Sequence, residues 1–174
     1  MKRFCALLLT SLLLTGVLLP LTGCRIGYSF NGASIDYNLT KTISVKDFSN
    51  QALLVYPPLA QNFSESLREI YTRQTKLKVL KADGDLQLEG EIVGYDLAPL
   101  AAQSDGYAAE TKLTMTVNVR YVNTKKEKEN FEQRFSAYQT FPSTSMLEDV
   151  QDALLEEIIK EITESIFNKT VANW

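Results

Sequence analysis

Between Lys112 and Tyr121 the chain alternates with period two. Leu113, Met115, Val117, Val119 and Tyr121 take one face, and Lys112, Thr114, Thr116, Asn118 and Arg120 take the other. Successive side chains of a strand point to opposite sides, so this pattern predicts a sheet that is apolar on one face only. Such a sheet has to be covered once, and two amphipathic stretches are available to do it. The first opens at Pro57-Pro58, because proline suits the first helical turn, and sets Leu59, Phe63, Leu67 and Ile70 on one stripe. Glu65, Arg68, Glu69 and Arg73 fall elsewhere on that helix. Its mixed charge fits packing on a sheet better than lying on a membrane. The second is longer, with Leu147, Val150, Leu154, Ile158, Ile162 and Ile166 three or four residues apart and Leu155 and Ile159 widening the stripe. Ser145 and Glu148 have the spacing of a capping box at its start. Its other side is acidic, the pattern of a solvated face.

The remaining strands are weaker. Ile43 and Val45 alternate with polar residues from Lys41 to Phe48, and Ser49-Asn50-Gln51 is expected to break that strand. Leu77, Val79 and Leu80 form a short strand before a turn at Asp83-Gly84. Residues 85–97 then run extended, with Leu86, Leu88 and Ile92 on one face and Gly90 marking a bulge or a closely packed neighbour. Residues 98–109 read as a long loop. A charged connection from Asn123 to Asn130 leads to a last strand bearing Phe131, Gln133, Phe135 and Ala137 on one side. With no internal repeat and no second core, residues 41–174 are expected to form a single α+β domain, a two-layer sandwich of sheet and helices.

Upstream, Met1-Lys2-Arg3 is a basic segment and Phe4–Leu19 an almost unbroken apolar run, the form of a secretory signal. The run ends in Leu21-Thr22-Gly23-Cys24, which resembles the lipobox of bacterial lipoproteins. That resemblance implies cleavage of residues 1–23 and a diacylglycerol and an N-acyl chain on Cys24, with residues 24–40 as a tether rich in Gly, Ser and Asn. Tyr28 and Phe30 are candidates for docking that tether on the domain. Several acyl chains hold a membrane where one binds only marginally. An uncleaved transmembrane helix is the first alternative, since residues 4–22 approach the ~20 needed to span a bilayer. Against it, Pro20 and Gly23 crowd the end of the run and Arg25 stands alone after it. An ordinary secretory cleavage site is the second alternative, but it would not require the cysteine.

Cleavage would leave 151 residues with 16 basic and 21 acidic side chains, a net charge of −5. That balance argues against nucleic acid as a partner. Cys5 would leave with the signal and Cys24 would be acylated, so no thiol remains for a disulfide and packing must carry the stability. The chain has no histidine, which excludes Ser-His-Asp and Cys-His catalysis and removes the commonest transition-metal ligand. Asp83 and Asp85 flank a turn glycine, the acidic helix lacks calcium-loop spacing, and Gly90 and Gly94 lie within a strand rather than a phosphate loop. The residues point to a non-enzymatic envelope protein with no metal site and no cofactor beyond the acyl groups.

Gly27-Tyr-Ser-Phe-Asn-Gly-Ala-Ser34, Lys41-Thr-Ile-Ser-Val45, Gly84-Asp-Leu-Gln-Leu-Glu-Gly90 and Ile166-Phe-Asn-Lys-Thr-Val-Ala-Asn-Trp174 resemble the LptE family of lipopolysaccharide-assembly lipoproteins, in its Bacteroidota branch. The resemblance implies a roughly four-stranded, mostly antiparallel sheet with two helices on one face. It also implies a protein that plugs the LptD β-barrel, helps it fold and assists delivery of lipopolysaccharide to the outer leaflet. The address it implies is the outer membrane, lipid-anchored and facing the periplasm. No shared motif aligns the family's lipopolysaccharide-contacting basic residues with this chain. Clustering alone makes Lys125, Lys126 and Lys128 candidates for contacting lipid A phosphates, against the plainer reading that Glu127 and Glu129 make this an ordinary charged turn. Under this resemblance the polar side of the 112–121 strand, rich in hydrogen-bonding groups and not closely paired in charge, is the candidate face toward a barrel lumen, whereas on the residues alone plain solvent exposure explains it. A generic outer-membrane lipoprotein serving as pilot or scaffold for another envelope machine is the alternative.

Overall fold

A computed structural model describes residues 35–100 and 110–171. The signal segment, Cys24 and the tether up to residue 34 lie outside the described residues, as do 101–109 and 172–174. The element order is β1 (Thr42–Val45), β2 (Ser49–Asn50), α1 (Leu59–Gln74), β3 (Lys78–Leu80), β4 (Leu86–Leu100), β5 (Glu110–Asn123), a 3₁₀ turn (Glu127–Glu129), β6 (Phe131–Pro142) and α2 (Leu147–Thr170).

The α+β class holds, with both helices packed on one side of the sheet. The strand count is six rather than four, in the order β3-β1-β4-β5-β6 with β2 also on β4. The sheet is mixed: β1 lies parallel to both β3 and β4, and β2 parallel to β4, while β4, β5 and β6 form a long antiparallel meander. The parallel half depends on α1, because parallel strands need a long crossover connection and α1 carries the chain back to the end where β1 began. Ser49-Asn50 does not end the edge segment as expected. The chain steps away from β4 at Asp47 and returns, Ser49 pairing with Glu91 and Asn50 with Ile92. Residues 98–100 are also strand and not loop, since Ala98, Pro99 and Leu100 pair with Lys112, Thr111 and Glu110.

The core forms where the two layers meet. Leu86, Leu88, Ile92, Leu113, Met115, Val117 and Val119 from the sheet are at most 2% exposed, as are Leu59, Phe63 and Leu67 of α1 and Leu155, Ile158, Ile162 and Ile166 of α2. The helices run in the same direction, tied at one end by Tyr56 Oη donating to Asp152 and at the other by a hydrogen bond between the Tyr71 and Thr170 hydroxyls. On α2 the buried stripe is Leu155, Ile158, Ile159, Ile162, Thr163, Ile166, Phe167 and Thr170, whereas Leu147, Val150 and Leu154 are only half-buried. The expected capping box does not form: the cap is Met146, extended and without a side-chain bond, and the Ser145 N–H donates to Pro142 O instead.

Two glycines of β4 divide the roles the sequence suggested for one. The bulge lies at Val93, since Ile92 opposes Val117 and Gly94 already opposes Thr116. The extra residue changes the phase of the strand, so that Tyr95 rather than an even-numbered residue points inward, almost fully buried. Gly90 is the close approach: a Cβ there would lie 2.7 Å from Phe48 Cε1 and nearer still to the Asn118 carbonyl oxygen.

Candidate partner surface

The side of the β4–β5–β6 meander away from the helices is the face predicted from the 112–121 alternation. The register brings Thr116 beside Ser136, Asn118 beside Arg134 and Arg120 beside Glu132. Side chains then bond across strands: Thr116 Oγ1 to Ser136 Oγ at 3.0 Å, and Asn118 Nδ2 to Glu132 Oε1 at 3.0 Å. The expectation that this face is not closely paired in charge is corrected here. Arg120 Nη1 donates to Glu89 Oε1 at 3.0 Å, and Lys46 Nζ occupies the other carboxylate oxygen at 2.6 Å. The Lys46 hydrogen bond is the leading cause that draws the Glu89 carboxyl below its ordinary range, with burial opposing it. Glu89 comes from a strand whose own periodicity says nothing of Arg120, so the pair emerges only with the register. Lys112 lies over the Tyr138 ring, 5.3 Å from its centre. The result is an open, polar, charge-balanced lattice that offers hydrogen bonds along its length.

The three clustered lysines sit at the far end of the meander, in and around the 3₁₀ turn, and they do not behave alike. Lys125 Nζ bonds Asp85 Oδ1 at 3.0 Å and Lys126 Nζ bonds Glu129 Oε1 at 3.2 Å. Asp85 is the knot of this end. It accepts from the N–H groups of Lys41 and Thr42 and from the Thr42 hydroxyl, while its own N–H donates to that hydroxyl. Thr124 closes the turn on the Asp85 carbonyl through both its N–H and its hydroxyl. The Lys41 N–H first, then Lys125, with burial opposing and Thr42 adding to them, hold the Asp85 carboxyl well below the usual carboxylate range. Lys125 is therefore tied up in holding β1, β4 and the β5–β6 turn together.

Lys128 forms no ion pair among the described residues. It lines a hollow of about 290 Å³ together with Tyr121, Asn130, Phe131, Lys169, Thr170 and Glu129, whose carboxylate is paired with Lys126. Lys169 Nζ stands 5.8 Å from the centre of the Phe131 ring and is likewise outside every described ion pair. Sequence reasoning missed Lys169 because it comes from the end of α2, 41 positions from Lys128; the packing of α2 on β6 puts the two around one hollow. Among the described residues no group of carboxylate or cysteine side chains has the arrangement of a metal site, and no helix is long and apolar enough to cross a membrane.

No curated protein matches this sequence. Among solved structures, the hypothetical protein CT253 of Chlamydia trachomatis is similar in fold, with a TM-score of 0.52 at 11% identity, covering 77% of this chain and 99% of that one. Lipoprotein B of Nitrosomonas europaea aligns with a TM-score of 0.49 at 12% identity, over 73% of this chain and 79% of its own. A minor lipoprotein of Acinetobacter baumannii aligns with a TM-score of 0.42 at 12% identity, over 72% and 91%. The family model described as lipopolysaccharide-assembly matches residues 40–170, from the foot of β1 to the end of α2, and the chain belongs to the LptE family.

Proposed function

We propose that this protein is a non-catalytic, lipid-anchored component of the lipopolysaccharide-assembly machinery at the outer membrane, facing the periplasm and seated in the lumen of an LptD-type barrel. The observation that carries the reading, beside family membership, is the open face of the meander. It is polar from Lys112 to Arg120 on β5 and from Glu132 to Thr140 on β6, and no element of the described chain covers it. The lumen of a large barrel is polar, and a plug must meet it with hydrogen-bonding groups rather than apolar ones. The near balance of charge suits an enclosed site, where an unpaired buried charge is costly. Cys24 supplies the anchor.

Within this reading the lipid A phosphates meet Lys128 and Lys169 across their shared hollow, with Lys125 and Lys126 supporting the turn behind them. The test of the whole is depletion: remove the protein, then measure barrel abundance and lipopolysaccharide at the cell surface. Loss of both, with the barrel copurifying from wild-type membranes, is the expected result. Normal levels of both and no copurified barrel would discard the plug and leave a scaffold for another envelope machine.

A further inference from the structure

The helix layer has a second surface, facing away from the sheet. Between α1 and α2 runs a groove of about 620 Å³ that the sheet-side function does not use. Its lining carries five carboxylates against two cations. One of those cations, Arg73, is already committed to Glu69 at 3.5 Å. Glu65, Glu156 and Glu164 form no ion pair among the described residues. The floor is apolar, built from Ile70, Leu155 and Ile159.

At one end the groove has an apolar lip. The loop between β2 and α1 exposes three consecutive aliphatic residues, Leu53 at 96%, Leu54 at 36% and Val55 at 75%. Tyr56, the next residue, lines the groove and is held to α2 by its bond to Asp152, so the lip adjoins the groove through the chain. Met146, 72% exposed, precedes the same end of α2. Aliphatic side chains grouped in this way mark a contact surface. Glu148, Asp149 and Asp152 on the first turns of α2 would repel an anionic bilayer surface, so the lip suits a protein rather than lipid headgroups.

We propose that this groove and its lip are a docking site for a cationic amphipathic segment of a partner protein. The segment's basic side chains lie along Glu65, Glu156 and Glu164, and an apolar side chain at one end meets Leu53 and Val55. The lip acts as the desolvated anchor and the carboxylates set polarity and register, the usual division between hot spot and charged rim. This site draws on the helix layer alone, on the opposite side of the chain from the open sheet face.

The test uses the full chain in phosphatidylcholine nanodiscs, with empty nanodiscs as blank. The probe is a fluorescent fourteen-residue peptide of lysines with a Leu-Leu pair at one end, compared by anisotropy with the same peptide carrying glutamates. Binding of the lysine peptide alone is expected, weakening as salt is raised. E156Q/E164Q should weaken it roughly fivefold, as two partly screened charge contacts are lost. L53S/V55S should weaken it roughly tenfold through lost apolar burial. The control E157Q/E161Q removes the same charge from the same helix outside the groove and should leave affinity unchanged. All six positions are exposed, so folding is checked simply by circular dichroism. No binding of the lysine peptide, equal weakening by the control, or indifference to L53S/V55S would each overturn the proposal.

Discussion

Gly90 offers the sharpest test of how the two layers are held. It sits in the middle of the β4–β5 pairing, opposite Val119, with the Phe48 ring over it. Phe48 in turn packs edge-on against Phe63 at 5.0 Å, so the ring has little room to retreat. An alanine Cβ would lie 2.7 Å from Phe48 Cε1 and 3.1 Å from the Asn118 carbonyl carbon, with the carbonyl oxygen closer again. Comfortable carbon contacts begin near ~3.5 Å, so β4 must move by about an ångström against a backbone neighbour. Overpacking a core costs ~1–3 kcal/mol, and a rigid obstacle puts this case near ~3. The lower entropy of the unfolded alanine chain returns ~0.4–1 kcal/mol, leaving a net loss of about 2 kcal/mol or more. Urea unfolding of the full chain in mild detergent, followed by far-ultraviolet circular dichroism, measures it, with an unchanged slope showing that stability alone has moved. Gly94→Ala is the internal comparison. There the near atoms are Asp96 Oδ2 at 3.0 Å, the far end of a side chain, and Thr116 Cβ at 3.3 Å, which need give by only a few tenths of an ångström, and the change should stay within about 1 kcal/mol of wild type. Adding Phe48→Leu to Gly90→Ala should recover less than about half of the loss, because the carbonyl remains. If Gly90→Ala and Gly94→Ala unfold within about 0.5 kcal/mol of each other, close approach is not what requires glycine at this position.

Ile158→Ala should cost ~2–5 kcal/mol in the same assay, because Ile158 is fully buried, and Leu154→Ala clearly less, because Leu154 is only half-buried. Asp85 has a folded pKa below the ~3.9 of an unfolded aspartate, so its contribution is present above that value and is lost as the pH falls through the acid range. Asp85→Asn should therefore flatten the acid limb of a stability-versus-pH curve while lowering stability at neutral pH; an unchanged acid limb would contradict it. Lys128→Gln with Lys169→Gln should weaken lipopolysaccharide binding at low salt more than Lys125→Gln with Lys126→Gln, and the reverse order would remove the shared hollow from the reading. Cys24→Ser should abolish acyl labelling and membrane fractionation, and label retained on the variant would refute Cys24 as the anchor.

The elements that were legible in the sequence are those whose cause is local. The period-two run from Leu113 to Tyr121 needs no partner to declare its two faces, and the Leu59–Phe63–Leu67–Ile70 spacing declares a helix with one buried side. Together they also imply two layers, since each apolar face needs the other. What the tertiary structure decided depends on contacts distant in the chain. Ser49-Asn50 is too short to carry a period and becomes strand only because β4 offers it hydrogen bonds. The bulge at Val93 changes which residues face inward, and Tyr95 becomes core for a reason invisible in its immediate neighbours. On α2 the buried stripe is turned from the Leu147–Val150–Leu154 line toward Leu155 and Ile159, because α1 lies against that flank. The lysine cluster shows the same limit most plainly. Lys125, Lys126 and Lys128 look equivalent along the chain, and only the fold assigns two of them to Asp85 and Glu129 and sets the third beside Lys169. Charge in a sequence counts side chains, whereas charge at a site depends on which of them the fold has already neutralised.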